Sequence, residues 1–201
     1  MGCPPWMCSF FCHFFLHKQK EVAPPQGVSP HKARRPAGLP REDQNEKQRK
    51  DYAFMRAVLT RVTSASVAID GKVKGQIGKG FLVLLGVHRD DTEAEAERIA
   101  DRICGLRIFV DENGKMNVNP ADAGAEILII SQFTLFADTK SRRPGFTAAA
   151  RPETAIPLYE KVIALCRDKG FHVETGEFGA DMAVASVNDG PVTILFDTQN
   201  P

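Results

Sequence analysis

Two uninterrupted apolar stretches, "FLVLLGV" (81 to 87) and the first half of "EILIISQFTLF" (126 to 136), constrain this chain more than any other feature. A strand wet on one face alternates apolar and polar residues, so a run that is apolar throughout reads as a strand covered on both faces. Two such runs need cover, and the pattern supplies two helices. Asp90 or Asp91 can cap one that carries Ile99, Ile103 and Leu106 at helical spacing; a second begins near Glu153, carries Ile156, Tyr159, Val162, Ile163 and Cys166 on its inner face and stops at Gly170. "RAVLTRV" (56 to 62), "ASVAI" (65 to 69) and "KVKGQI" (72 to 77) are rich in β-branched residues, the last two joined by a turn at Asp70-Gly71. "DMAVASV" (181 to 187) and "PVTILF" (191 to 196) read as two closing strands around a hairpin turn at Asp189-Gly190. Many strands with two long helices, not strictly alternating, predict an α+β domain with a mixed sheet.

This pattern starts at Met55. Before it lie an apolar piece, "WMCSFFCHFFL" (6 to 16), and a Pro- and Lys/Arg-rich piece (23 to 50) with too few apolar groups to offset the entropy of ordering it. Residues 1–54 therefore read as a disordered N-terminal extension, whether a targeting segment, a linker or an over-extended gene start, and residues 55–201 as the domain. The apolar piece is too short to span a membrane and lacks the flanks of a secretory signal, so the expected location is cytoplasmic. Nine Lys/Arg face five Asp/Glu before Met55, and seventeen face twenty from Met55 onward. An anionic partner of the domain must then be met by a local patch. Cys104 and Cys166 fall on apolar helix positions and read as reduced thiols, while Cys3, Cys8 and Cys12 match no common zinc spacing.

Catalytic constellations are scarce. His88 and His172, the only histidines from Met55 onward, lie in no nucleophile motif, "GQIGKG" (75 to 80) lacks the spacing of a phosphate loop, and no metal-ligand spacing is present. What remains is polar chemistry at the end of a buried strand. In "SQFTLFAD" (131 to 138), Ser131, Gln132 and Thr134 either cap the strand or line a cleft that offers hydroxyl, amide and backbone N–H donors to a carbonyl or ribose. "KSRRPGF" (140 to 146) is either a solvated loop or a phosphate contact with Phe146 as a base-stacking platform. Gly190-Pro191, in "NDGPVT" (188 to 193), is either turn punctuation or part of a binding site.

The motifs "SQFTL" (131 to 135) and "NDGPVT" (188 to 193), with "RVTSASV" (61 to 67), "LVLLGV" (82 to 87), "GKMNVN" (114 to 119) and "FGADM" (178 to 182), occur in an order and spacing that resembles the D-aminoacyl-tRNA deacylase family. The likeness covers residues 55 to about 198. It implies a mixed, largely antiparallel, barrel-like sheet with two main helices, in a homodimer with active sites at the subunit interface. It further implies hydrolysis, without metal or organic cofactor, of the ester joining a D-amino acid to the terminal ribose of tRNA, and of glycine mischarged on the alanine tRNA. In the family the Gly-Pro peptide is cis and enters the other subunit's site. On that basis Gly190 and Pro191 would gauge chirality, Arg61 would fix their orientation, Ser131, Gln132, Phe133 and Thr134 would form the catalytic pocket, Phe178 its wall, and Phe146 would sit near the terminal adenosine.

Chemistry makes the absent base intelligible. The ribose 2′-OH already activates an aminoacyl ester, so a positioned water and backbone N–H groups near Gln132 and Phe133 would suffice. Rigid Gly-Pro carbonyls could accept from the substrate ammonium and leave no room for an L side chain, a selection by exclusion that lets glycine through. The competing readings are a tRNA- or nucleotide-binding module without hydrolysis, and another small esterase or structural homodimer.

Overall fold

The computed structural model describes residues 55–197. The expectations for residues 1–54, including the cysteine trio and the apolar piece, lie outside them. Among the described residues no helix is long and apolar enough to cross a membrane.

The sheet is organised by β1 (Arg56–Ile69), a single strand where the sequence suggested two. Its first half pairs antiparallel with β3 (Gly80–Gly86), its second half with β2 (Lys72–Ile77), and β8 (Ala183–Asp197) accompanies it antiparallel along nearly its whole length. The Asp70-Gly71 turn joins β1 to β2 as expected, with both residues at positive φ. β6 (Glu126–Ser131) then pairs parallel with β3, and β7 (Val173–Thr175) parallel with β6. Parallel neighbours cannot be joined by a tight hairpin and need crossover connections. The two helices supply them: α1 (Glu93–Gly105) lies between β3 and β6, followed by the small ribbon of β4 (Phe109–Val110) and β5 (Met116–Val118), and α2 (Pro152–Asp168) lies between β6 and β7. β2 and β7 stand at opposite ends of the strand order yet touch, which brings the sheet close to a closed barrel.

The two apolar runs are covered on both faces. Phe81, Val83 and Leu85 of β3 and Ile127 and Ile129 of β6 join α1 and α2 in one core, while Leu82, Leu128 and Ile130 point the other way into a second core with Val62, Val67 and Ile77. Period-two alternation thus sends successive residues to different apolar clusters, which is why no polar residue interrupts the pattern. The Tyr159 hydroxyl of α2 donates to the Ile129 carbonyl at 2.8 Å, pinning the helix to the sheet at a polar point of the core.

Three local expectations are corrected. The α1 cap is Thr92, whose N–H and hydroxyl both donate to Glu95, while Asp91 turns inward to accept from the His88 N–H at 2.6 Å. The second apolar run ends as a strand at Ser131, after which Phe133–Phe136 form a 3-10 turn. Most consequentially, Asp189-Gly190 is not a hairpin turn. Residues on both sides of it pair with β1, Thr193 opposite Thr60 and Asn188 opposite Val62, so residues 189–192 bulge out against the single residue Arg61. A hairpin would pair the two flanking halves with each other; the availability of β1 along its full length keeps them collinear instead.

Candidate active site

The polar end of β6 is built by a ladder that runs out. Gln132 continues the parallel pairing by one bond, its N–H donating to the Leu85 carbonyl at 2.8 Å, and the chain then leaves the sheet through an Ala137 N–H bond to the Thr134 carbonyl at 3.1 Å. The backbone N–H of Gln132 is thereby committed, which corrects the expectation that it would face a reacting oxygen. The N–H groups of Phe133 and Thr134 open the turn, ahead of its first internal bond, from the Leu135 N–H to the Gln132 carbonyl at 3.3 Å. The Gln132 side-chain amide donates to the Thr134 hydroxyl, folding the side chain back over the turn.

Close approach of turn and sheet depends on Gly86. A Cβ there would meet the Gln132 carbonyl oxygen at 3.0 Å, Phe136 Cε2 at 3.0 Å and Leu135 Cβ at 3.2 Å. Of the turn residues Phe136 alone is buried, its ring 5.3 Å from that of His88. Phe133 is 38% exposed and meets Phe146 edge to face, centroids 5.1 Å apart. Phe146 closes the loop carrying Lys140, Arg142 and Arg143, all exposed, whose stem is held by reciprocal backbone bonds between Asp138 and Gly145 at 2.7 and 2.9 Å. An aromatic pair and three cations, adjacent in sequence, thus flank the turn. This composition suits a nucleotide chain end.

The second motif is built around Arg61, only 6% exposed. Its Nη1 donates to the Ile108 carbonyl, and its Nε lies 2.9 Å from Asp189 Oδ2, close enough for charge pairing but out of line for a hydrogen bond. Arg61 and Asp189 belong to the same chain, so the arginine holds its own bulge. Gly190 has φ +121° and forms a cis peptide with Pro191; a Cβ on it would lie 2.7 Å from Val192 Cγ2 and 3.3 Å from Arg61 Nη2. Both Gly190 and Pro191 are exposed.

Phe178 packs edge to face on Tyr159, centroids 6.2 Å apart, and borders a cavity of about 770 Å³ between α2 and the Gly176–Phe178 segment. The two motifs do not meet within one chain. Ser131 is level with Leu85 and Ala57, whereas the bulge faces Arg61 three strands away. At about 4.8 Å per strand and 3.3 Å per residue, they stand about 20 Å apart along the sheet.

Sequence reasoning missed the charged layer beneath the turn. Arg56 sits over the Phe136 ring, His88 is buried with its pKa lowered mainly by desolvation, and the Asp91 carboxyl is pushed up to about 7, first by burial and then by Glu95, Asp90 and Asp197. One carboxylate oxygen of Asp91 has no hydrogen-bond partner. No motif marks these residues, because Arg56 opens β1 whereas His88 and Asp91 follow β3, and only the tertiary fold stacks the two segments.

The D-Tyr-tRNA(Tyr) deacylase family matches residues 58–197. A D-aminoacyl-tRNA deacylase of Desulfitobacterium hafniense is 55% identical over 146 residues, 72% of this chain and 98% of the relative. One from Pectobacterium carotovorum subsp. carotovorum is 52% identical over 145 residues, 72% of this chain and 100% of the relative. Among solved structures, the c-Myc DNA unwinding element binding protein superposes with TM-score 0.67 at 40% identity, covering 70% of this chain and 97% of its own. A probable eukaryotic D-amino acid tRNA deacylase superposes with TM-score 0.64 at 17% identity, over 72% and 99%, and speaks for the fold alone. With the family matched from the third residue of β1 to the last of β8, and near-full-length relatives above half identity, the chain belongs to the D-Tyr-tRNA(Tyr) deacylase family and is a hydrolase of carboxylic esters.

Proposed function

We propose that the chain removes D-amino acids and glycine from tRNA in a site shared by two copies, the Ser131–Thr134 turn of one facing the Gly190-Pro191 bulge of the other. The observation that carries this reading is the separation of two motifs on one sheet, one exposed at Phe133 and Thr134 and the other at Gly190 and Pro191. Neither is complete alone. The strand bearing the bulge also exposes Val187 and Leu195, 58% and 76% accessible, and such apolar surface suits burial against a second copy.

In this reading the ester carbonyl lies over the opening of the 3-10 turn, where the N–H groups of Phe133 and Thr134 stabilise the oxyanion that forms as water adds. The Thr134 hydroxyl, already accepting from the Gln132 amide, is free to turn its own hydrogen toward the substrate. Ser131 and Thr134 shape the pocket and are not nucleophiles. The ribose 2′-OH assists the leaving oxygen, and the loop of Lys140, Arg142 and Arg143 holds phosphates while Phe146 meets the terminal base. The carbonyls at Gly190-Pro191 accept from the substrate ammonium and occupy the space an L side chain needs. Phe178 closes the wall of the pocket.

The test follows ester loss from D-Tyr-tRNA, L-Tyr-tRNA and Gly-tRNA with the full chain. Hydrolysis of the D and glycyl esters with the L ester spared is expected. Equal rates on D and L esters would defeat selection by exclusion, and an acyl group trapped on Ser131 or Thr134 would replace water attack by covalent catalysis.

A further inference from the structure

We propose that Arg56, the first residue of β1, is a positioning residue for the reacting turn, fixing its height above the sheet by bridging the Leu135 carbonyl to the Asp197 carboxylate. The proposal rests on the reading that the Ser131–Thr134 segment is the reacting pocket.

Three contacts define the bridge. Arg56 Nη1 donates to the Leu135 carbonyl at 3.0 Å, Nε donates to Asp197 Oδ2 at 3.1 Å, and the guanidinium carbon lies 5.0 Å from the centroid of the Phe136 ring. Leu135 and Phe136 belong to the turn, and Asp197 ends β8 directly opposite Arg56 in the ladder. One side of the bridge is therefore anchored in the sheet and the other in the turn. The Leu135 carbonyl is among the last of the turn, where the helix itself offers no donor, so the arginine satisfies a group the local structure leaves open.

Guanidinium chemistry suits this task. Its N–H groups point in fixed directions within one plane, so two acceptors held by Nε and Nη1 are held at a fixed separation, and its flat face stacks on an aromatic ring. A lysine has one rotatable ammonium and cannot impose that separation. Stability gains little from the arrangement, because both side chains of the ion pair are partly exposed, 36% and 25%, and such pairs contribute weakly. Position is what the bridge controls. The N–H groups of Phe133 and Thr134 stand two residues and one residue before Leu135, and a shift of the turn moves them relative to the ester carbonyl. Oxyanion stabilisation is steep in that distance, whereas tRNA affinity resides in the basic loop and the chain end.

The experiment measures steady-state hydrolysis of D-Tyr-tRNA by full-length Arg56→Gln, Arg56→Lys and Asp197→Asn, with thermal midpoints recorded alongside. Arg56→Gln is expected to lower kcat about 10- to 100-fold with KM within about twofold. All three variants should keep thermal midpoints close to wild type; Arg56→Lys should still leave kcat well below wild type, and Asp197→Asn should lower kcat in the same direction by less. Unchanged kcat in both arginine variants, or a raised KM at unchanged kcat, overturns the proposal. Should Arg56→Gln fail to fold, the Lys and Asn variants decide by the same readout. Thr134→Trp, which fills the pocket, separates the two levels: if it too leaves kcat unchanged, the pocket reading has failed, and if it abolishes activity while the Arg56 variants do not, only the bridge has.

Discussion

Gly190 is the residue whose chemistry is least replaceable in the bulge. At φ +121° a side chain is strained by about 1–3 kcal/mol, and the Cβ of an alanine would also press on Val192. Gly190→Ala is expected to cut D-Tyr-tRNA hydrolysis about tenfold or more while the circular dichroism spectrum is retained, since the bulge is exposed and contributes little to either core; full activity in a folded variant would remove the bulge from the site. A different effect belongs to Asp91. Its pKa is raised above the unfolded value to about 7, so the folded state binds the extra proton between about pH 4 and 7, and stability falls as pH rises through that window, by up to about 4 kcal/mol. His88, with its pKa lowered, acts oppositely, gaining stability as pH rises, so the comparison must be between variants at matched pH. Asp91→Asn should gain on the wild type from pH 4 to 7 in urea midpoints and keep a constant lead above pH 8. A lead independent of pH would mean that Asp91 is not held protonated. Ser131, Gln132, Thr134, Gly190 and Pro191 were legible in the sequence because polar or φ-permissive residues interrupt otherwise apolar strands. Arg56, His88 and Asp91 were not, because nothing local distinguishes a surface charge from one stacked beneath a turn.

At the scale of elements, the 3-10 turn is the piece on which geometry matters most, and Gly86 sets its seat. One of the two atoms nearest to an added Cβ is the Gln132 carbonyl oxygen, a backbone atom that cannot swing aside, so Gly86→Ala must push the turn outward by a few tenths of an ångström. The expected result is a fall in kcat with a stability loss of about 1–3 kcal/mol, read from paired kinetics and thermal melts; loss of stability with kcat intact would show that the turn is not positioned through β3. Between the helices, Cys104 and Cys166 interact, the half-buried Cys104 with its pKa lowered by that contact and the buried Cys166 with its pKa raised. Iodoacetamide should therefore label Cys104 in the native protein and Cys166 only on unfolding, and equal labelling in mass spectra would contradict this burial order. The helices and buried strands were readable from periodicity, since burial imposes its period on the residues themselves. The hairpin reading of Asp189-Gly190 failed for a definite reason: local turn chemistry is the same for a hairpin and a bulge, and the choice depends on whether the flanking strands pair with each other or with a third.

For the whole molecule, the prediction is that one chain is half a site. Mixing Gly190→Ala with Thr134→Trp subunits should give heterodimers that unite an intact bulge with an intact pocket, and statistical exchange raises activity to about a quarter of wild type, above either impaired parent. No recovery after demonstrated subunit exchange would place both motifs in one subunit's service. The sequence by itself determined the composition of this protein's layers: which strands are buried on both faces, that helices must cover them, and which residues interrupt the pattern with polar chemistry. It could do so because burial and turn geometry act through near neighbours in the chain. The tertiary structure decided what those interruptions face. It made β8 one strand with a bulge, committed the Gln132 N–H to Leu85, stacked Arg56 under the turn and set the two motifs far apart on the sheet. Those outcomes depend on strand pairing and packing between residues as much as 141 positions apart, where local sequence exerts no preference and only the competition among complete arrangements of the chain selects one.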